Sequence, residues 1–177
     1  MATTLIPIAY LCIIPKKEHI FIVCVSMSIG FLIADLLRMY WKTAGKYFFK
    51  IFSVLLREDE LKNNLTGATY LFIGMTMAVF LFPKTIAVAV MLFLTVADPF
   101  AAVFGKMVPI RKIFNKSIGG FLAFLFCAVL IVTVVFGFTY SGLIVALVAA
   151  LVEMIPIHIN DNLTIPVVSG YLLILFK

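Results

Sequence analysis

Four carboxylates stand where an apolar environment should exclude them. Asp35, Asp98 and Glu153 lie within long apolar stretches, and Asp161 borders one. A carboxylate in hydrocarbon persists where it faces a polar cavity, a partner charge or a metal ion. Three of the four have a proline close by: Pro99 follows Asp98 directly, Pro156 follows Glu153 by three positions, and Pro166 follows Asp161 by five. Proline removes a backbone donor and interrupts or starts a helix. Irregular backbone at membrane depth survives only when it is buried in protein or lines water. Acids in such a setting suit a site that holds a divalent cation and, with basic partners, a polyanion.

The elements that must position these acids are membrane helices. With 64% hydrophobic and only 12% charged residues, and a mean hydropathy of +1.21, the chain has too little polar surface to cover a soluble globule. The expected class is all-α: a polytopic integral membrane protein forming one domain over 1–177. Apolar stretches at 2–14, 20–37, 67–82, 85–104, 118–138, 141–155 and 163–176 predict about seven transmembrane helices. The first, at thirteen residues, rises only about 20 Å. It reads as half of a helix, and as a signal peptide it lacks preceding basic residues. Cys12, Cys24 and Cys127 fall inside apolar stretches without metal-ligand spacing and read as packing residues.

Charge sets the expected orientation. If seven spans alternate, one face carries Arg38, Lys42, Lys46, Lys50, Arg57, Lys62, Lys106, Arg111, Lys112 and Lys116, and the other only Lys16, Lys17, Lys84 and Lys177. Ten basic residues against four place the first face in the cytoplasm. Asp98, Glu153 and Asp161 all fall toward that same face. Small residues at helical spacing accompany them: Ala101, Ala102 and Gly105 near Asp98, and Ala146, Ala149 and Ala150 before Glu153. Such stripes let membrane helices approach closely.

Two further elements lie on the basic face. Lys42, Lys46 and Lys50 recur every fourth residue, with Phe48, Ile51, Phe52 and Leu55 mostly on other sides, which predicts an amphipathic helix at about 42–57 lying in the headgroup layer, with Tyr40 and Trp41 at its start. An ordinary basic juxtamembrane helix has the same pattern. The segment 105–117 carries Gly105, Lys106, Arg111, Lys112, Asn115, Lys116 and Ser117 and leads into the fifth span. Lys116 and Ser117 at a helix amino terminus, followed by Gly119 and Gly120, suit a phosphate-binding loop. Many cytoplasmic basic loops look alike in this respect.

The ordered run Ala97-Asp98-Pro99-Phe100-Ala101-Ala102, Gly105-Lys106, Lys116-Ser117-Ile118-Gly119-Gly120, Glu153, and Asn160-Asp161-Asn162-Leu163-Thr164-Ile165-Pro166 resembles the CTP-dependent lipid kinases. That family includes dolichol kinase, phytol kinase and the CTP-dependent diacylglycerol kinase. Leu56-Arg57-Glu58, Glu60 and Leu65-Thr66-Gly67-Ala68-Thr69-Tyr70 are similar to its prokaryotic branch. The chain departs from the family pattern at Gly119 and Asn160, where many relatives are acidic, and in the basic, histidine-bearing segment that usually precedes the first span.

The resemblance implies transfer of a phosphoryl group from CTP to the hydroxyl of a membrane lipid alcohol, a reaction of lipid metabolism. It assigns Asp98 and Asp161 to Mg2+, and Glu153 either to the metal or to the role of base. Gly105, Lys106, Lys116, Ser117, Gly119, Gly120, Asn162 and Arg57 are expected around nucleotide and phosphate. The partners expected are CTP, a lipid alcohol and the bilayer, with no nucleic acid; in a prokaryote the location is the inner or plasma membrane. His158 reads as an interfacial histidine and Asp35 as a residue that pairs near Arg38 at the end of the second span. A cytidylyltransferase would use the same CTP, metal and lipid but release pyrophosphate. A transporter also suits intramembrane acids and broken helices, but the chain has no internal repeat and its acids cluster toward one face.

Overall fold

The computed structural model describes residues 2–14, 16–40, 64–108, 112–113, 116–156 and 159–176. A short 3-10 turn, Ala2–Thr4, leads into α1 (Leu5–Cys12). Then follow α2 (Lys17–Tyr40), α3 (Gly67–Leu81), α4 (Lys84–Leu92), a π-helical turn (Phe93–Ala97) and α5 (Asp98–Met107). A two-residue pair of strands, β1 (Lys112–Ile113) and β2 (Lys116–Ser117), precedes α6 (Ile118–Phe136), α7 (Tyr140–Met154) and α8 (Asp161–Leu175). The protein is thus helical, and its helices fall where the apolar stretches lie. Among the described residues, three are long and apolar enough to cross a membrane: Lys17–Tyr40, the continuous run Lys84–Met107, and Ile118–Phe136. The other apolar helices, Gly67–Leu81, Tyr140–Met154 and Asp161–Leu175, have 15 residues each. At 1.5 Å per residue they rise about 22 Å, less than the hydrocarbon thickness.

The centre of the bundle is α4, whose residues from Ile86 to Met91 are all fully buried. A helix that is apolar all round belongs inside the fold. It is packed by α1, α3, α6 and α8, while α2 lies outside α3 and α7 bridges α6 and α8. Since lipid tails are as apolar as leucine, close van der Waals fit holds such helices together. Ala87, Ala89, Ala97, Ala128, Ala146, Ala149 and Ala150 accordingly have no exposed surface. Ala102, expected on the packed side of α5, is exposed. Outward residues such as Ile22, Ile29, Phe126 and Val134 present apolar surface.

Asp35 does more than pair with the residue one turn away. It forms the expected ion pair with Arg38 (Nη2 to Oδ1, 3.3 Å), and its Oδ2 also accepts from Thr66 N at 2.7 Å, Thr66 Oγ1 at 3.0 Å and Thr69 Oγ1 at 2.6 Å. Thr66 is the N-cap of α3, and its own side chain makes no cap. The carboxylate of α2 therefore takes over that duty, placing negative charge at the positive end of the helix dipole. Arg38 Nη2 also donates to Asn64 O at 2.5 Å, tying the last turn of α2 to the approach to α3. Higher up, Ser28 and Thr76 share a hydrogen bond of 2.9 Å across the same interface. At the far end, Lys17 Nζ donates to Phe80 O at 3.0 Å and Phe82 O at 3.2 Å, closing the carboxyl end of α3.

Both Asp35 and Arg38 are buried. Removing one member of a buried ion pair strands the other, at a cost of roughly 3–5 kcal/mol. Asp35→Ala should therefore lower the thermal midpoint of the detergent-solubilised protein strongly, whereas Thr69→Val, which removes one neutral donor, should cost about 1 kcal/mol. Equal losses for the two variants in a thermal-unfolding assay would contradict this account of the α2–α3 junction.

Candidate active site

Three elements deliver the three carboxylates. Asp98 opens α5 directly after the π turn, Glu153 occupies the last turn of α7, and Asp161 is the first residue of α8. Each position follows from local backbone chemistry. At Pro99 the i→i−4 bond to Thr95 cannot form, and the helix widens so that Asp98 N reaches back to Phe93 O. α7 stops at Met154, just ahead of Pro156. Asn160 caps α8, its Oδ1 accepting from Asn162 N at 3.0 Å. An aspartate could cap in the same way, so Asn160 preserves the helix start while lowering the negative charge.

These ends converge. One oxygen from each of Asp98, Glu153 and Asp161 lies within 4.8 Å of the others. Lys116 sits against two of them: its Nζ donates to Glu153 Oε1 at 2.8 Å, to Asp161 Oδ2 at 2.9 Å, and to the main-chain oxygen of Glu153. That last contact places an ammonium at the carboxyl end of α7, where the dipole favours it. Burial disfavours the Lys116 ammonium, but the charge of Asp161 and the hydrogen bond and charge of Glu153 outweigh it, so its pKa is raised above the ordinary lysine value.

The donor set fits a hard divalent cation. Carboxylate oxygens are the ligands Mg2+ takes from protein, usually one or two with the rest supplied by water and phosphate. Three carboxylates from three elements meeting at one point form the kind of oxygen-rich donor set such an ion takes. Asn162 Oδ1, beside Asp161, is buried without a hydrogen-bond partner, so the site also has an unused oxygen acceptor next to its acids.

Around the cluster, glycines allow very close helix contact. A Cβ on Gly105 would stand 2.7 Å from Ser117 Oγ and 3.5 Å from Gly120 Cα, so α5 and the start of α6 meet backbone to backbone. Ser117 is the N-cap of α6, its Oγ accepting from Gly120 N at 3.0 Å. A Cβ at Gly119 would fall 2.4 Å from Val108 O. Any side chain at position 119 would therefore require a different path for the chain at Val108. On the other side, Asn162 lies against α3: its Nδ2 is 3.5 Å from Gly67 O, and a Cβ on Gly74 would be 2.1 Å from its main-chain oxygen.

Of the residues expected at the site, Asp98, Glu153, Asp161 and Lys116 are brought together, and Asn162, Ser117, Gly105 and Gly120 pack next to them. Lys106 is exposed on α5. Within the segment expected as a phosphate-type loop, 105–117, the described residues form the last turn of α5 and an antiparallel pair in which Lys112 faces Ser117 and Ile113 faces Lys116. Arg57 and the amphipathic helix expected at 42–57 lie outside the described residues, as do Arg111, Asn115 and His158. Sequence reasoning missed the π turn and the threonines that serve it; the Asp98-Pro99 pair was the available signal. A cavity of about 290 Å3 lined by Val132, Thr139, Gly142 and Leu173 lies at the opposite ends of α7 and α8 and includes none of the acids.

The fold and site describe a helical membrane protein with a carboxylate cluster suited to a divalent ion, and comparison with known proteins gives the family. The chain is 32% identical over 174 residues to the CTP-dependent diacylglycerol kinase 1 of Schizosaccharomyces pombe, covering 84% of this chain and 78% of that one. It is 33% identical over 172 residues to an uncharacterized protein of Methanocaldococcus jannaschii (94% and 85% covered) and 27% identical over 176 residues to one of Rickettsia prowazekii (94% and 85%). The chain belongs to the family of the CTP-dependent diacylglycerol kinase. No family model matches it, and no solved structure does.

Lys116→Met should destabilise the protein by roughly 1.5–3 kcal/mol, the usual scale for hydrogen bonds to charged groups. With the folded pKa raised, the contribution of Lys116 is fully present below the unfolded value of about 10.4 and is lost as pH rises through the higher folded value. The difference in thermal midpoint between parent and Lys116→Met should thus stay flat from about pH 6 to 9 and shrink only above about pH 10. A difference that changes across neutral pH would contradict the ion pairs described.

Proposed function

We propose that this protein is a CTP-dependent lipid kinase that phosphorylates the hydroxyl of a membrane alcohol, giving a lipid phosphate and CDP. The observation that carries this reading is the convergence of Asp98, Glu153 and Asp161 around Lys116 in a chain related over most of its length to a CTP-dependent diacylglycerol kinase. The acceptor belongs to the class of diacylglycerol, polyprenol or phytol-like alcohols. In this reading the chain crosses the membrane about seven times, the shorter helices tilting the bilayer boundary toward them, and the site opens on the cytoplasmic face beside the basic residues.

Asp98, Asp161 and Glu153 are the residues that would hold Mg2+. When bound, the ion would neutralise phosphate charge and align the triphosphate for in-line transfer. The protein's own part is positional. Lys116 holds Glu153 and Asp161 in register and offers positive charge at the amino end of α6, next to Ser117, where the β- and γ-phosphates of CTP would lie. Gly105 and Gly120 keep the α5–α6 contact close enough for both groups to reach one nucleotide. The acceptor oxygen forms a bond to the γ-phosphorus as the bond to the β-bridging oxygen breaks, and the hydroxyl proton passes to a carboxylate of the cluster. Lys106 and Arg57 supply further positive charge toward the phosphates.

Purified protein incubated with labelled CTP, Mg2+ and a panel of lipid alcohols should yield a labelled lipid phosphate and CDP. Asp98→Asn should reduce the rate by more than the roughly 10–100-fold typical of losing an outer-sphere group. Release of pyrophosphate with a CDP-lipid would identify a cytidylyltransferase instead, and unimpaired turnover by Asp98→Asn would remove that residue from the site.

A further inference from the structure

Thr4 stands at the amino end of α1, in the N-cap position, yet its hydroxyl makes no bond to that helix. It turns instead to a residue 91 positions away, donating to Thr95 O at 3.2 Å. The target is informative. In an α-helix the carbonyl of residue 95 accepts from the N–H of residue 99, and residue 99 is Pro99, which has none. Thr95 is fully buried, and its own hydroxyl is turned back to Met91 O at 3.0 Å. A carbonyl of the proline-interrupted turn thus receives a donor from the amino-terminal segment.

This carbonyl lies in the π turn, three residues before Asp98. The turn sets the rotation of α5 about its axis and with it the direction in which Asp98 leaves the helix, because a π turn adds one residue to the ladder. We infer that Thr4 is a positioning residue for Asp98: by satisfying Thr95 O it holds the proline-widened turn in the one arrangement that presents Asp98 to Glu153 and Asp161. The amino-terminal helix, which carries none of the acids, is in this way part of the site's support. The inference rests on the reading of Asp98 as a metal-binding group.

The test is a cycle in which the missing donor is returned. Thr4→Val keeps the shape and removes the hydroxyl, Thr4→Ser keeps the hydroxyl, and Pro99→Ala gives residue 99 an N–H that can bond Thr95 O directly. Each variant is purified in detergent, its thermal midpoint is recorded, and Mn2+ binding is followed by electron paramagnetic resonance alongside the Mg2+ dependence of CTP turnover. Thr4→Val should weaken Mn2+ binding and raise the Mg2+ requirement by about tenfold, the lower end of what outer-sphere losses cost. Thr4→Ser should match the parent. In the Pro99→Ala background the same Thr4→Val change should cost less than about twofold, because the substituted N–H now does the work of the hydroxyl.

A Thr4→Val protein that binds Mn2+ like the parent overturns the inference, and so does a penalty of the same size with and without Pro99→Ala. Should Thr4→Val alone fail to fold, the double variant should fold; its failure too would overturn the coupling. A parent that neither binds Mn2+ nor turns over CTP would instead sink the proposed function, which separates the two outcomes.

Discussion

Where hydrocarbon replaces water, a backbone carbonyl that loses its helical donor must find another partner within the protein, and two prolines in this chain impose that requirement beside the acids. In the turn broken by Pro99, Thr95 O accepts from Thr4, 91 positions away. In α8, interrupted by Pro166, Asn162 O packs closely on α3 at Gly74. Each local break thus sits against a segment distant in sequence. The first of these lies beside Asp98 and the second beside Asp161. The irregular backbone that frees the acids from regular helix geometry is also what binds their helices to the bundle.

The charged groups obey the same rule with larger energies at stake. Asp35 and Arg38 are buried together, and the carboxylate of Asp35 is consumed by the amino end of α3. Its partners are internal and complete, so it serves the fold. Glu153 and Asp161 share one ammonium, and Asp98 joins them from a third helix. The contrast between an acid spent on a helix end and three acids gathered at one point separates a structural site from one able to attract a cation. α3 connects the two, since Gly67, the first residue after the Asp35-capped threonine, faces the side chain of Asn162.

Much of this was legible in the chain. The apolar stretches marked the helices because a membrane helix needs a long run without charge, and each acid near a proline announced a polar site because neither residue is cheap in lipid. The order of motifs carried the family. Less was legible of the individual partners. Lys116 was readable as a basic residue at a helix amino terminus, and Gly105 and Gly120 as residues permitting close approach, but which other helices they meet was not. Lys116 thus reaches Glu153 and Asp161, 37 and 45 positions on, and Gly105 meets the start of α6; spacing along one helix cannot announce a contact between two.

The sequence by itself determined the medium, the helical class, the places where helices break, and which acids stand out, because these depend on local composition and on the missing N–H of proline. Tertiary structure decided which acid serves a helix cap and which joins other acids. Asp35 and Asp98 are alike as isolated letters in apolar stretches. They differ because α3 presents its uncapped amino end to the first, while the ends of α7 and α8 present two further carboxylates to the second. The fate of a charge in hydrocarbon is set by what lies within a few ångströms of it, and those distances exist only once the helices have packed.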